Sequence, residues 1–256
     1  MRILVIAMTI ALAGCQYMDD VNYYREGART IVYHDSGTAK QAHAAHREFR
    51  WQHNLRSDTF RNKELINRAS PRNSRVEISL GEQRGLLLVS DKVAMDFPVA
   101  TGLPRWPTPA GQFTIIEKNK AHRSNLYGRV YDSMGILVDA SADSRKADVP
   151  PGGRFVGASM PYWMRLTNTG IGMHVGYVPG GRPASHGCIR LRRPTAATIF
   201  NVSAIGTPVT VAYGMPALST ATAPRVVQPK KPVTKKPTPK KTVPKKAVPK
   251  KPTQRR

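Results

Sequence analysis

The chain has 256 residues and a formal net charge of +24, from 40 Lys and Arg against 16 Asp and Glu. This length allows one large domain or two small ones. Two Cys exclude a disulfide scaffold and a Cys-rich zinc module, and no apolar run reaches the roughly 20 residues that a membrane-spanning helix needs. Half of the excess charge lies in residues 226–256, which hold ten Lys, two Arg and no acid. A uniformly basic globule is therefore excluded.

The first 15 residues have the composition of an export signal. Residues 3–12 are nearly all apolar but too short to cross a bilayer, as in the core of a secretory signal. The run ends in Leu-Ala-Gly-Cys at 12–15, which resembles a bacterial lipoprotein signal. That resemblance implies acylation of Cys15, attachment to the membrane by a lipid anchor and, with Gln16 next, location at the outer membrane. The alternative is an ordinary cleaved signal.

Residues 16–74 are polar and predict a helical or partly disordered spacer. Residues 39–69 contain no Gly or Pro and are rich in helix-forming residues, but their apolar positions are too sparse for a core of their own. The segment also holds His34, His43, His46 and His53. No carboxylate is arranged with them as in a zinc protease, so we expect surface histidines and no metal site.

The composition changes at residue 75, where short alternating apolar runs separated by Gly and Pro predict a domain over 75–214. These runs predict a mostly antiparallel β structure. Pro194 favours the start of one short helix over 195–202. The predicted strands are 76–80, 86–90, 93–100, 112–116, 164–166, 171–175 and 209–212.

The remaining residues, 215–256, form a basic tail. From residue 230 onward, Lys pairs recur every five residues with Pro, Val and Thr between them, and no aromatic residue is present. Such a composition lacks the apolar bulk that would offset the entropy of folding, so it predicts an extended, disordered segment. Without aromatic residues for base stacking, we expect no nucleic acid and instead an anionic envelope surface as its partner. The alternative is a solvated spacer.

Cys188 is the residue that points to chemistry. A buried structural Cys would have apolar neighbours, whereas this one follows Ser185, His186 and Gly187. His174 lies 14 residues earlier, after a strand-like run, with a Gly- and Pro-rich loop between. One loop can therefore bring a nucleophilic thiol and a general base together.

These residues resemble the L,D-transpeptidase catalytic domain of the YkuD type, found in bacterial cell-wall enzymes. Its signature Ser-His-Gly-Cys-Ile-Arg-Leu stands complete at 185–191, and His174-Val175-Gly176 corresponds to its upstream His-Gly element with one residue inserted. Residues 97–102 and 108–113 resemble the opening of the domain. The resemblance covers about residues 75–213 and implies a mostly β, L,D-transpeptidase-like β-sandwich of short, mainly antiparallel strands with one or two short helices.

The resemblance also implies a mechanism and a set of roles. Cys188 would attack the carbonyl joining diaminopimelate to the terminal D-Ala of a peptidoglycan tetrapeptide stem, with His174 as base, and an amine would then take the acyl group to give a 3-3 cross-link. His186, Gly187 and Ser185 would support the oxyanion or the loop, and Arg190 would contact a substrate carboxylate or buttress the loop. Tyr162 is a candidate wall of the substrate pocket. No cofactor is expected, and carbapenems should acylate Cys188.

Other functions remain open on the sequence alone. The same acyl-enzyme could pass its acyl group to water, as an L,D-carboxypeptidase, or to a protein Lys. A function of another class is a non-catalytic lipoprotein that binds the envelope. All of these place the protein in the bacterial cell envelope, facing the periplasm.

Overall fold

The computed structural model describes residues 29–33 and 39–218. The predicted signal, including Cys15, and most of the predicted tail lie outside these residues. Along the chain the elements are β1 (Thr30–Tyr33), α1 (Ala39–Gln52), β2 (Thr59–Asn62), α2 (Lys63–Asn67), β3 (Ser74–Ser79), β4 (Arg84–Val89), β5 (Lys92–Pro98), β6 (Gly111–Thr114), β7 (Glu117–Tyr131), β8 (Leu137–Asp143), β9 (Arg154–Arg165), β10 (Gly172–Val175), β11 (Ile189–Leu191), α3 (Arg193–Val202), β12 (Pro208–Ala212) and a 3-10 turn (Pro216–Leu218).

Two β-sheets form the fold. The larger has the strand order β1-β2-β5-β4-β3-β12-β6, and the smaller has the order β11-β10-β9-β7-β8. Most neighbouring strands are antiparallel, while the pairs β1–β2, β3–β12 and β10–β11 are parallel. The predicted fold class, a mostly β structure of mainly antiparallel strands, is confirmed.

One hydrophobic core joins the two sheets and α3. Val76 and Leu87 of the large sheet, Met164 and Met173 of the small sheet, and Ile199 of α3 belong to the same buried cluster. Each is at most 1% exposed, as the alternating and continuous apolar runs of these segments predict. The predicted strands of this core and the predicted helix, with Pro194 in its first turn, are confirmed.

The strands that the sequence did not predict are the polar ones. β8 consists largely of exposed residues, β7 consists mainly of exposed and half-buried ones, and β9 before residue 160 is half-buried or exposed throughout. Backbone hydrogen bonds in long antiparallel ladders hold these strands together. Because few of their side chains are buried, their sequences show no alternating apolar pattern.

The segment before residue 74 is part of the large sheet. β2 pairs with β5, and β1 extends the sheet from β2. Phe49 of α1 and Phe60 of β2 are fully buried against Leu86 and Leu88 of β4. Its few apolar residues therefore complete a second core cluster against the main domain, and the sheet begins before the predicted boundary at residue 75.

A buried ionic network fastens α1 to this sheet. The Asp96 carboxylate accepts hydrogen bonds from Arg84 Nε at 2.6 Å, His46 Nε2 at 2.8 Å and Arg50 Nη1 at 2.9 Å. Burial alone would raise the pKa of Asp96, but these three neighbours hold it below its usual value. The expectation of surface histidines is wrong for His46, which is 3% exposed. Its burial depends on an acid 50 residues away in the sequence.

Candidate active site

His174 and Cys188 are brought together by the parallel pair β10–β11. His174 lies in β10 opposite Arg190, and Cys188 immediately precedes β11. The loop 176–187 forms the crossover that a parallel pair requires. Both side chains line one cavity of about 540 Å³ at the end of the small sheet. The geometry thus unites the two residues that the sequence singled out.

The turn before Cys188 is held by the Ser185 hydroxyl. This hydroxyl accepts a hydrogen bond from the Gly187 N–H at 3.1 Å and donates one to the Cys188 carbonyl at 2.5 Å. Ser185 is 1% exposed, so these bonds are shielded from water. Gly187 has a φ of +108°, a conformation that favours glycine. The predicted role of Ser185 and Gly187 in shaping the loop is consistent with these contacts.

The Thr101–Thr108 loop supports this turn from behind. Thr108 Oγ1 donates to the Gly187 carbonyl at 2.7 Å and accepts from the Gly102 N–H at 2.8 Å. A Cβ at Gly102 would collide with the backbone of Trp106 and crowd Gly187, so only glycine permits this close approach. The two sequence motifs at 97–102 and 108–113 therefore meet the Cys188 turn in space.

A turn from the N-terminal segment packs on the other side of the loop. Gly180, with φ +82°, lies so close to the Arg56 carbonyl that a Cβ there would collide with it, and Gly181 lies against the Arg56 side chain. Arg84 donates to the Asp58 carbonyl at 3.1 Å, which ties this turn to the buried ionic network. The loop joining the candidate base and nucleophile is thus held by residues more than 100 positions earlier.

His174 carries a neutral imidazole in a defined tautomer. Its Nδ1 lies 2.7 Å from the Val175 carbonyl, and because a carbonyl can only accept, Nδ1 carries the proton. The ring is 7% exposed, and burial, together with the charge of Arg190, lowers the pKa of His174 to about 4. At neutral pH the Nε2 lone pair is therefore available to take a proton.

Cys188 is a thiol in the resting protein. Burial raises the pKa of Cys188, while a hydrogen bond from the Gly172 N–H and the charges of Arg190 and Arg165 act in the opposite direction. Its Sγ lies 3.7 Å from the Gly170 carbonyl, to which it donates. A raised thiol pKa and an imidazole of low pKa favour a neutral pair, so a thiolate would form only if the proton left the sulfur.

His186, another predicted site residue, lines the cavity. Its ring contacts those of Trp106 and Tyr127, with ring centroids 4.0 and 4.7 Å away. Burial lowers the pKa of His186, and nearby arginines add to this effect. His186 thus forms an aromatic wall of the cavity.

Arg190 acts in the structure as a support for the loop. Its Nη1 donates to the Ala184 carbonyl at 2.8 Å, and its methylene groups lie where a side chain at Gly176 would have to fit. Of the two roles expected for Arg190, buttressing the loop is the one that these contacts favour. Gly176 is therefore needed beside it.

The Gly187 N–H donates to Ser185, so of the two roles expected for Gly187, support of the loop is the one that this contact favours. One expectation needs correction. Tyr162 does not belong to the cavity wall, because it has a φ of +56° and packs edge-on against Phe200 at 5.5 Å, on the side of the main core. The reversed backbone at this position turns its side chain away, whereas Trp163 next to it lines the cavity.

The cavity residues missed from the sequence include His122, Arg145, Trp163 and Arg165. They come from or follow the polar strands β7, β8 and β9, which gave no apolar pattern. His122 stacks on Trp163 with centroids 4.8 Å apart, and Arg165 lies over the same ring at 5.5 Å. The adjacent aromatic and cationic residues of the segment 162–165 are the signal in the sequence that could have pointed to Trp163 and Arg165.

The family model of the YkuD L,D-transpeptidase catalytic domain matches residues 73–211, which include both strands of the site and the whole 185–191 motif. The chain belongs to this family. The resemblance to this family that the motif at 185–191 indicated is therefore confirmed.

Individual L,D-transpeptidases match over part of their length. Probable L,D-transpeptidase 3 of Mycobacterium tuberculosis is 32% identical over 120 residues, which are 44% of this chain and 37% of that relative. The solved L,D-transpeptidase of Mycobacterium smegmatis is 24% identical, covers 54% of this chain with 58% of its own and has a TM-score of 0.42. L,D-transpeptidase 3 of Mycobacterium tuberculosis is 24% identical, with 54% and 60% coverage and a TM-score of 0.39.

The described residues contain neither a membrane-spanning helix nor a metal-binding cluster. Within residues 29–33 and 39–218, no helix combines the length and apolar character needed to cross a membrane. In the same part of the chain, no cluster of three or more His, Cys, Asp or Glu side chains is suited to hold a metal ion.

Proposed function

We propose that this protein is a peptidoglycan L,D-transpeptidase with Cys188 as nucleophile and His174 as general base. Its substrate would be a tetrapeptide stem, cut between diaminopimelate and the terminal D-Ala, and its product a 3-3 cross-link. The observation that carries the proposal is the cavity that both side chains line, with His174 on β10 and Cys188 just before the adjacent strand β11. The family of this chain acts on the same class of substrate.

The first step forms a thioester. Cys188 Sγ attacks the carbonyl carbon while its proton moves to His174 Nε2, and the carbonyl electron pair moves onto oxygen. The tetrahedral intermediate then collapses as the C–N bond breaks, and the imidazolium returns its proton to the departing amine of D-Ala. The neutral resting pair of Cys188 and His174 suits this step, because the imidazole can accept a proton at neutral pH.

The second step consumes the thioester. An acceptor amine enters the cavity, and its nitrogen attacks the acyl carbon while His174 Nε2 takes one of its protons. The C–S bond breaks, and the sulfur recovers that proton to regenerate the thiol. Water in place of the amine would give a tripeptide, and a protein Lys would give a covalently attached protein.

The oxyanion of both tetrahedral intermediates needs backbone donors near Cys188. With the Gly187 N–H committed to Ser185, the N–H groups of His186 and Cys188 remain as our candidates. A donor of this kind contributes on the order of 3 kcal/mol to the transition state. The hydrogen-bonded turn orients these groups before the substrate arrives.

Mass spectrometry with disaccharide-tetrapeptide muropeptides tests the reaction. We expect a dimer formed with loss of D-Ala by the wild type and no product from Cys188→Ala. Tripeptide alone would show an L,D-carboxypeptidase. No conversion by a folded wild type would contradict the proposal and favour the envelope-binding function. Incubation with a carbapenem adds a second readout, a covalent adduct that Cys188→Ala should lack.

We propose further that Cys15 is acylated, that the protein faces the periplasm from the outer membrane, and that the tail holds it to anionic groups there. The support is the sequence alone: the Leu-Ala-Gly-Cys run and the ten Lys of residues 226–256. Each Lys near an anionic surface adds about 1 kcal/mol, screened by salt. Radiolabelled palmitate should label the wild type but not Cys15→Ala when both are expressed in bacteria.

Binding to isolated sacculi and to lipopolysaccharide, measured across a series of salt concentrations, tests the tail. We compare the wild type with a chain ending at residue 225 and with a matched tail in which Gln replaces each Lys but Pro and length are kept. Loss of binding in both variants supports an electrostatic contact. Unchanged binding in either would contradict it.

A further inference from the structure

In the described part of the chain, the wall of the active-site cavity contains arginines and no acid, because Asp143 and Glu117, which pair with Arg145 and Arg165, are not among its lining residues. Among the described residues that line it, the ionisable groups besides Cys188 and the tyrosines are three arginines and three histidines, and none is Asp or Glu: His122, Arg145, Arg165, His174, His186 and Arg190. A cavity of one sign of charge favours a ligand of the opposite sign. The ligand is therefore expected to bring at least one carboxylate.

Two of the three arginines are already engaged by the protein. Arg190 donates to the Ala184 carbonyl and supports the loop, as described above. Arg145 donates two hydrogen bonds to the Asp143 carboxylate, from Nε at 2.9 Å and from Nη2 at 2.6 Å. A guanidinium used in this bidentate way has little left for a substrate carboxylate.

Arg165 is engaged through its Nε alone. It is the last residue of β9, paired with Glu117 on one side and with Gly172 on the other. Its Nε donates to Glu117 at 2.5 Å, and its guanidinium lies over the Trp163 ring. Within residues 29–33 and 39–218, its two Nη groups have no hydrogen-bond partner. Its side chain is 27% exposed, so the cation is oriented but still accessible from the cavity.

The position of Arg165 relates it to the nucleophile. Its strand neighbour Gly172 donates its N–H to the Cys188 sulfur, and Arg165 and Cys188 line the same cavity. A carbonyl bound for attack by Cys188 would therefore lie close to this guanidinium. In a tetrapeptide stem, the carboxylate nearest to the scissile carbonyl is that of the terminal D-Ala, one residue further on.

We propose that Arg165 binds the C-terminal carboxylate of the donor stem and so selects stems that end one residue beyond the cleaved bond. This inference rests on the proposed function. The two Nη groups match the two oxygens of a carboxylate, and Glu117 and Trp163 keep the fork from rotating. The site is thereby specific for a free chain end, and an amidated or extended stem loses this contact.

The test compares two substrates on the full chain. One is a tetrapeptide stem with a free D-Ala carboxylate, and the other is its C-terminal amide. Mass spectrometry measures the release of D-Ala from the first and of D-alaninamide from the second. We expect the wild type to prefer the carboxylate in kcat/KM on the order of 10- to 100-fold, the range for a hydrogen bond to a charged group. Arg165→Gln should reduce this preference to about 1, and Arg165→Lys should restore part of it.

Arg123→Gln is the matched control. Arg123 lies on β7, donates to the Gly157 carbonyl at 2.9 Å and is not part of the cavity wall, so its loss should leave the carboxylate preference unchanged. A purely structural role of Arg165 would lower the rates with both substrates equally and keep their ratio. Urea unfolding shows whether each variant is folded, and alkylation by iodoacetamide, a neutral reagent, shows that its Cys188 thiol is accessible.

The outcomes separate the two proposals. If the wild type cleaves both substrates with equal efficiency, or if Arg165→Gln keeps the preference, the assignment of Arg165 is overturned while the proposed function stands. If the wild type cleaves neither substrate although Cys188 is alkylated, the proposed function fails, and this inference falls with it.

Discussion

Acid should destabilise this protein through His174. In the folded chain the pKa of His174 is about 4, against 6.5 for an unburied histidine. Between these values the unfolded state binds a proton that the folded state does not, so the free energy of unfolding rises with pH across this window. The stabilisation is complete above about pH 6.5 and is lost as the pH falls toward 4; at 1.36 kcal/mol per pKa unit it amounts to about 3 kcal/mol.

Urea unfolding of the wild type and of His174→Gln measures this contribution. Glutamine keeps a polar side chain but does not titrate, so the other histidines cancel in the difference between the two proteins. From about pH 7 to about pH 4 the wild type should lose about 3 kcal/mol more than the variant. Parallel stability curves for the two proteins would refute the reasoning, as would a His174 ring that titrates near 6.5 by nuclear magnetic resonance.

Three substitutions test the packing around the site, each by urea unfolding. Ser185→Ala removes both turn hydrogen bonds and leaves a buried N–H unpaired, so we expect a loss of about 1–3 kcal/mol and slower acylation by a carbapenem; unchanged values contradict the role of this hydroxyl. Gly180→Ala combines a positive φ with a backbone collision and should cost more than about 1 kcal/mol, whereas Gly214→Ala, with open space around it, should cost less than about 0.5; equal effects contradict it. Arg84→Met leaves Asp96 buried without its main partner and should cost about 3–5 kcal/mol, whereas loss of the exposed Arg145 should leave the midpoint nearly unchanged.

The residues that we propose as nucleophile and base could be singled out from the sequence because their signals are local. Cys188 stands in a contiguous motif, and His174 lies at the end of an apolar strand run that precedes it. The core strands were equally visible, since a half-buried strand has an apolar residue at every second position and a buried strand has a continuous run. These patterns require knowledge only of neighbours along the chain.

The polar half of the site could not be found in this way. Arg165 is oriented by Glu117, 48 residues earlier in the chain. Arg145 and Arg190, by contrast, donate hydrogen bonds to Asp143 and Ala184. Tyr162 and Trp163 are adjacent in sequence, yet the positive φ at Tyr162 directs one away from the cavity and leaves the other in its wall. No period in the sequence distinguishes these alternatives.

The sequence by itself determined the family, the core strands and the two residues proposed for the chemistry. The tertiary structure alone decided that the N-terminal segment belongs to the sheet, that His46 is buried, and which arginine is left for a substrate. The physical reason is that a local sequence pattern indicates which apolar side chains are buried. Whether a polar side chain is buried depends instead on hydrogen-bond partners that lie far away in the chain.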